Sequence, residues 1–268
     1  MSPHGGSSRG RGAVTVATAV LVAALLAAPV TLAAPPAQGA PPTKPAPAPT
    51  ADDIVGRYVT ARGGIQKLRA LQTLRQEGRV SAGAGRNGLV TREIKRPGRI
   101  RFEFTVQGVT SVFASDGQRG WKVNPREEKS GLQPLPEEAL VDAREQADID
   151  GPLVDYQSKG SRIELVGREI VGGHDAWKLK VTLKSGGALT AYVEVKSANL
   201  VRTDATRLVR GRRVSVETTF GDYRKTGGIL FPHLVEVRAA GRPQLVRIVV
   251  DKVEVNPPLS DARFTPPS

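Results

Sequence analysis

The residues that could carry chemistry are few and scattered. There are three histidines: His4 near the start, His174 in a Gly-Gly-His-Asp turn, and His233 after Phe231-Pro232. A zinc site needs three or four ligands converging on one point, and there is no cysteine in the chain to supply any. His174 and His233 are far apart, with no ligand-spaced carboxylates beside them, so the sequence predicts no metal site. Asp148, Asp150 and Asp155 are close enough to suggest calcium. A calcium loop, however, places its oxygens at fixed alternate positions around a glycine turn, which this stretch does not do. The three read instead as charges at a helix end. No Gly-x-Ser-x-Gly elbow, phosphate loop or His-Glu-x-x-His helix is present. Without cysteine there is also no thiol nucleophile, no disulfide and no lipidated cysteine. The residues therefore predict no catalysis and no cofactor.

What the chain does offer is apolar surface in a regular pattern. Ile100, Phe102, Phe104 and Val106 alternate with polar residues. So do Leu179 and Val181, then Leu189, Val193 and Val195, then Val214 and Val216. Period-two alternation of this kind marks strands with one apolar and one charged face. Gly- and Pro-containing turns separate the runs, so the strands join as hairpins in an antiparallel sheet covered on one side. About ten or eleven strands are expected, and a sheet of that width twists and curls. The fold class is mainly β (α+β): a curved antiparallel half-barrel of about ten strands, with helices over an apolar cavity. Aromatic residues make up only 4% of the chain. The lining is therefore mostly aliphatic and small, which favours a cavity, although the pattern alone also fits a packed core.

Two segments must cover the apolar face. Thr50 followed by Asp52 and Asp53 reads as an N-cap with an acidic first turn. Ile54 and Tyr58 then give a helical stripe, and after Arg62-Gly63-Gly64 a second short turn is expected over 65–71. The stretch 134–156 breaks the strand rhythm. It carries Leu135, Leu140 and Val141 among carboxylates, with Pro136 at a helix start. A helix over about 136–147 is expected there. It lies in the middle of the strand sequence, so it is placed across the open apolar face as a lid.

Residues 1–33 read as an export signal: Arg9 and Arg11, an apolar run from Ala13 to Ala28, then small residues with cleavage after Ala33 or as late as Gly39. That run falls short of the roughly 20 apolar residues of a membrane span. Residues 34–50 are Pro- and Ala-rich and read as a disordered linker, and 51–268 as one domain. The formal charge is +13, or +11 once Arg9 and Arg11 leave with the signal. A basic surface of this kind favours anionic partners. Its even spread and the export signal argue against nucleic acid.

Three groups of residues then point to a family. Lys95-Arg96-Pro97 precedes the alternating strand that starts at Arg99. Ser115-Asp116-Gly117 is followed by Trp121 and by Asn124-Pro125, and Asp261 to Pro267 ends the chain with Phe264 ahead of Pro266-Pro267. In this order they resemble the outer-membrane lipoprotein carrier family (LolA-like), over about 51–267. The resemblance implies an incomplete antiparallel barrel closed by helices over a hydrophobic cavity. It implies a periplasmic carrier that shields the acyl chains of lipoproteins between an inner-membrane release complex and an outer-membrane receptor. It also implies that the carrier acts as a monomer and binds no nucleotide or metal. By position, Arg96 would be the arginine that holds the lid shut over the empty cavity. This domain is longer than the commonest carriers and its later strands are richer in arginine. The other reading is therefore a non-catalytic envelope protein that binds another lipid, or an anionic partner through its basic surface.

Overall fold

Thr50 closes a capping box at the start of α1 (Ala51–Ala61): its hydroxyl accepts from the Asp53 amide, and the Asp53 carboxylate accepts from the Thr50 amide. The computed structural model describes residues 48–83, 87–127, 131–209, 211–241 and 244–266. The expected signal and nearly all of the expected linker lie outside the described residues. α1 buries Ile54, Val55 and Tyr58. After the double-glycine break, α2 (Ile65–Ala70) buries Leu68. Gly63 has φ +122°, and a Cβ there would lie 2.3 Å from the Gly228 carbonyl oxygen. The Leu230 amide donates to the Arg62 carbonyl at 2.9 Å in the same contact, so the backbone cannot easily retreat. Gly63→Ala is expected to cost about 3 kcal/mol, read as a lower denaturant midpoint at an unchanged slope.

One antiparallel sheet holds thirteen strands. In chain order, β1 (Thr73–Ala82), β2 (Asn87–Lys95), β3 (Arg99–Val106), β4 (Val109–Ser115), β5 (Gly120–Val123) and β6 (Gln133–Pro134) run outward to one edge. α3 (Glu137–Gln146) and the segment 147–161 then cross to the other edge. There β7 (Arg162–Val171), β8 (His174–Thr182), β9 (Ala188–Glu194), β10 (Leu200–Val209), β11 (Arg212–Thr226), β12 (Ile229–Ala239) and β13 (Val246–Val255) run back inward until β13 pairs with β1. The sequence reading falls short by two or three strands. β5 and β6 are four and two residues long, too short for alternation to show.

The sheet is curved. α3 touches β3 and β4 on one side and β10 on the other, strands that a flat sheet would hold far apart. The three helices and the segment 147–161 cover the concave face and form the core with it: Ile54, Leu68, Ile94, Ile100, Leu153, Leu179 and Ile229 are all essentially inaccessible. Among the described residues, no helix is long and apolar enough to cross a membrane. The convex face is charged and much of it is self-paired, as in Arg79–Asp251, Arg202–Asp204 and Arg247–Glu236.

Candidate functional site

The strand register carries apolar residues across the concave face in rows. Leu165, Leu179, Ala191, Thr203, Thr218, Val237 and Val246 stand side by side from β7 to β13. Ile163, Val181, Leu189, Ala205, Val216 and Ala239 form the next row. The sequence-predicted lining residues divide into two sets. Ile100, Leu179, Val181 and Val193 are at most 1% exposed and belong to the packed core. They pack in one cluster with Ile54 of α1, Leu68 of α2 and Leu153 and Val154 of the segment 147–161. Phe102, Phe104, Val106, Leu189, Val214 and Val216 are only half-buried. They form an apolar trough at the other end. Val195 falls just past β9, in the turn that follows it; its amide still donates to the Asp175 carbonyl of β8, and its carbonyl accepts from Arg57 of α1.

α3 lies across this trough. Leu140 and Ala143 are buried beneath it, Val141 is half-buried, and Leu135 packs so closely on Gly120 that a Cβ there would lie 2.4 Å from its Cδ1. Polar contacts hold the helix from both sides. From one side, Arg92 of β2 donates to the Gln146 carbonyl at 2.8 Å, and Arg144 reaches back to the Gly117 and Gln118 carbonyls. From the other, Arg207 of β10 pairs with Asp142 at 3.1 Å and with Glu145, and the Gly211 amide donates to Glu138. Burial raises the Asp142 carboxyl, and the Arg207 charge opposes that rise.

Arg96 is placed differently from these. Its Nε donates to the Leu71 carbonyl at 2.7 Å. Its Nη2 donates to the Leu68 carbonyl at 3.2 Å and to both oxygens of Asp150 at 2.7 Å. The Asp150 side chain is 4% exposed. Arg62, itself buried, donates to the Asp150 carbonyl at 2.6 Å. Arg96 thus holds the segment after α3 within the expected 134–156 lid, and not the helix itself.

The three clustered aspartates turn out to be cation partners: Asp148 with Lys159, Asp150 with Arg96 and Asp155 with Arg69. The Arg69 guanidinium holds the Asp155 carboxyl below its ordinary value, while burial raises Asp148 against the pull of Lys159. His174 meets Glu194 at 2.5 Å and His233 meets the Val250 carbonyl at 2.7 Å, so the two do not converge. Among the described residues, no group of three His, Asp or Glu could hold a metal ion.

Sequence reasoning missed Arg92 and Arg207, although a signal for both is present. Each sits in the apolar phase of its strand, Arg92 between Val90 and Ile94, and Arg207 between Ala205 and Val209. The second and third family-like groups meet on the outer face. Phe264 is fully buried there and accepts from the Trp121 indole at 3.3 Å.

No family model matches the chain, and no curated protein matches it. Solved structures do. A DUF1329 family protein from Desulfovibrio piger superposes with a TM-score of 0.55 at 16% identity, over 80% of this chain and 97% of its own. A LolA superfamily protein from Nitrosomonas europaea gives 0.52 at 14% identity, over 82% and 99%. A domain from Vibrio parahaemolyticus described as an outer membrane lipoprotein-sorting protein gives 0.51 at 10% identity, over 78% and 95%. At these identities the likeness is one of fold, and the fold of this chain is the LolA-like one: a curved, open antiparallel sheet with short helices across its concave face.

Proposed function

We propose that this chain is a carrier that shields acyl chains on its concave face. Its cargo is the acyl anchor of lipoproteins in transit between inner and outer membrane, and its place of work is the periplasm. The observation that carries the reading is the half-buried apolar trough beneath α3, a helix held down by polar contacts that can break and re-form. Each methylene taken from water stabilises binding by about 0.8 kcal/mol. A lid held by hydrogen bonds balances that gain, so that cargo can leave again. The fold shared with lipoprotein-sorting domains supports the cargo, and the expected export signal supports the compartment.

The test is mass spectrometry of protein purified without detergent, paired with uptake of a neutral lipophilic dye. Co-purified lipid or lipoprotein is the expected result. Clean protein that takes up no dye would sink the reading and leave the basic-surface alternative standing. Within the trough, Val216→Glu is expected to weaken dye binding by tenfold or more, because it sets a carboxylate among apolar side chains where the diagonal cation, Arg207, is already paired with Asp142 and Glu145. Val216 is half-buried at a wide, open part of the sheet, so the melting temperature should hold within a few degrees; unchanged dye affinity would remove Val216 from the site.

A further inference from the structure

Arg207 and Arg96 each meet a carboxylate on the element they hold. Arg92 does not. Its Nη1 donates to the Gln76 side-chain carbonyl at 3.2 Å and its Nη2 to the Gln146 carbonyl at 2.8 Å, while its Nε is buried without a partner. Its guanidinium lies 5.7 Å from the centre of the Phe102 ring. Phe102 stacks on Phe104 at 5.9 Å and tilts against Phe113 at 6.2 Å, so the cation lies in an aromatic corner of the trough. Only six phenylalanines occur in the whole chain, and three of them are here. Desolvation pushes the Arg92 guanidinium down to about 10, which leaves it charged at neutral pH. A half-buried guanidinium without an anion is costly, and a carboxylate or phosphate oxygen facing it would recover that cost through short charge-assisted hydrogen bonds.

We infer that Arg92 is the headgroup contact of the trough, and that the favoured ligand is an amphiphile with an anionic carboxylate or phosphate head. Its chain lies along Phe102, Phe104 and the aliphatic rows that run toward Val216. This rests on the carrier reading above for the acyl chain and changes its cargo: a lipoprotein's anchor, joined through neutral ester and amide bonds, has no anionic head, so the favoured ligand here is a charged lipid in its place. The two nitrogens of Arg92 already engaged, on β2's neighbour β1 and on α3, hold the guanidinium in place. Three of its five N–H groups, the buried one on Nε among them, are left without a partner.

The experiment is displacement of a neutral lipophilic dye from the purified protein by four matched lipids: oleate, its methyl ester, phosphatidate and diacylglycerol. Inorganic phosphate and acetate serve as headgroup controls. Oleate and phosphatidate are expected to displace the dye about tenfold more tightly than their neutral partners. Arg92→Gln should erase that preference, read as the ratio of charged to neutral affinities so that a looser α3, which acts on both alike, cancels, and Arg92→Lys should restore part of it. Equal affinity for charged and neutral lipids in the wild type, or a preference that survives Arg92→Gln, would overturn the assignment. So would phosphate or acetate alone competing as well as the matching lipid, since the site would then read an anion without its chain. If Arg92→Gln does not fold, the wild-type comparison and Arg92→Lys still decide. Failure of every lipid and of the dye would instead overturn the carrier reading itself.

Discussion

Arg96→Leu is expected to destabilise the domain by about 3 kcal/mol and to loosen the segment that follows α3. The change strands Asp150, whose side chain is 4% exposed and receives both short contacts from Arg96. It also removes the donors to the last carbonyls of α2. Breaking a buried pair from one side costs about 3–5 kcal/mol, and the 30% exposure of Arg96 places this case at the lower end. For a domain of this size that is a fall in melting temperature of roughly 6–12 °C. Removing both charges, as in Arg96→Leu with Asp150→Leu, should recover part of it, because the stranded carboxylate is gone while the Leu68 and Leu71 carbonyls still lack their donor. The same loss acts on function. If the pair exists only while the trough is empty and covered, its removal favours the loaded state by up to the same free energy. Cargo affinity would rise by at most about 100-fold, and release would slow. Hydrogen exchange across 147–161, together with the rate of dye release, checks both halves. Unchanged protection and unchanged release would remove Arg96 from any role in closing the trough.

Phe264→Ala should be as damaging from the opposite side of the sheet. Phe264 is fully inaccessible, and truncating a buried phenylalanine costs about 3–5 kcal/mol. The tail around it is fixed along its length. Thr73 donates to the Pro257 carbonyl, Lys95 to the Leu259 carbonyl, Arg101 to the Arg263 carbonyl, and Arg263 pairs with the buried Glu93. The chain has two tryptophans, and Trp121 is the one whose indole donates to Phe264. In a Trp177→Phe background, Phe264→Ala should shift the Trp121 emission to the red and lower the denaturant midpoint together. An unshifted spectrum at wild-type stability would mean that the tail does not seal this face.

The sheet was legible in the sequence because its strands alternate cleanly, and α1 was legible because Thr50 and Asp53 form a recognisable cap. The lid helix could be placed from Pro136 and the change of rhythm, to within a residue or two of Glu137–Gln146. Strands β5 and β6 were not legible, since two to four residues cannot display a period. Alternation identifies a face but not its depth. Ile100 and Val216 share one phase of the pattern, yet one is packed under helices and the other lies in the trough. What separates them is where α1, α2 and the segment 147–161 fall, which is a tertiary fact. Reading apolar positions as uniformly apolar also hid Arg92 and Arg207, strand residues that bond to α3.

The path of the chain sets how the trough can open. α3 is no flap on one hinge: it is a strap fastened at both ends, to β6 on one margin of the sheet and through 147–161 to β7 on the other. A strap of fixed length cannot swing away. It can slide along its own axis, tilt, or slacken if the two margins draw together. On the carrier reading proposed above, admission of cargo is therefore tied mechanically to the breadth of the half-barrel. A spin-label pair on β6 and β7 would report loading as a change of width, even though neither label comes near the ligand.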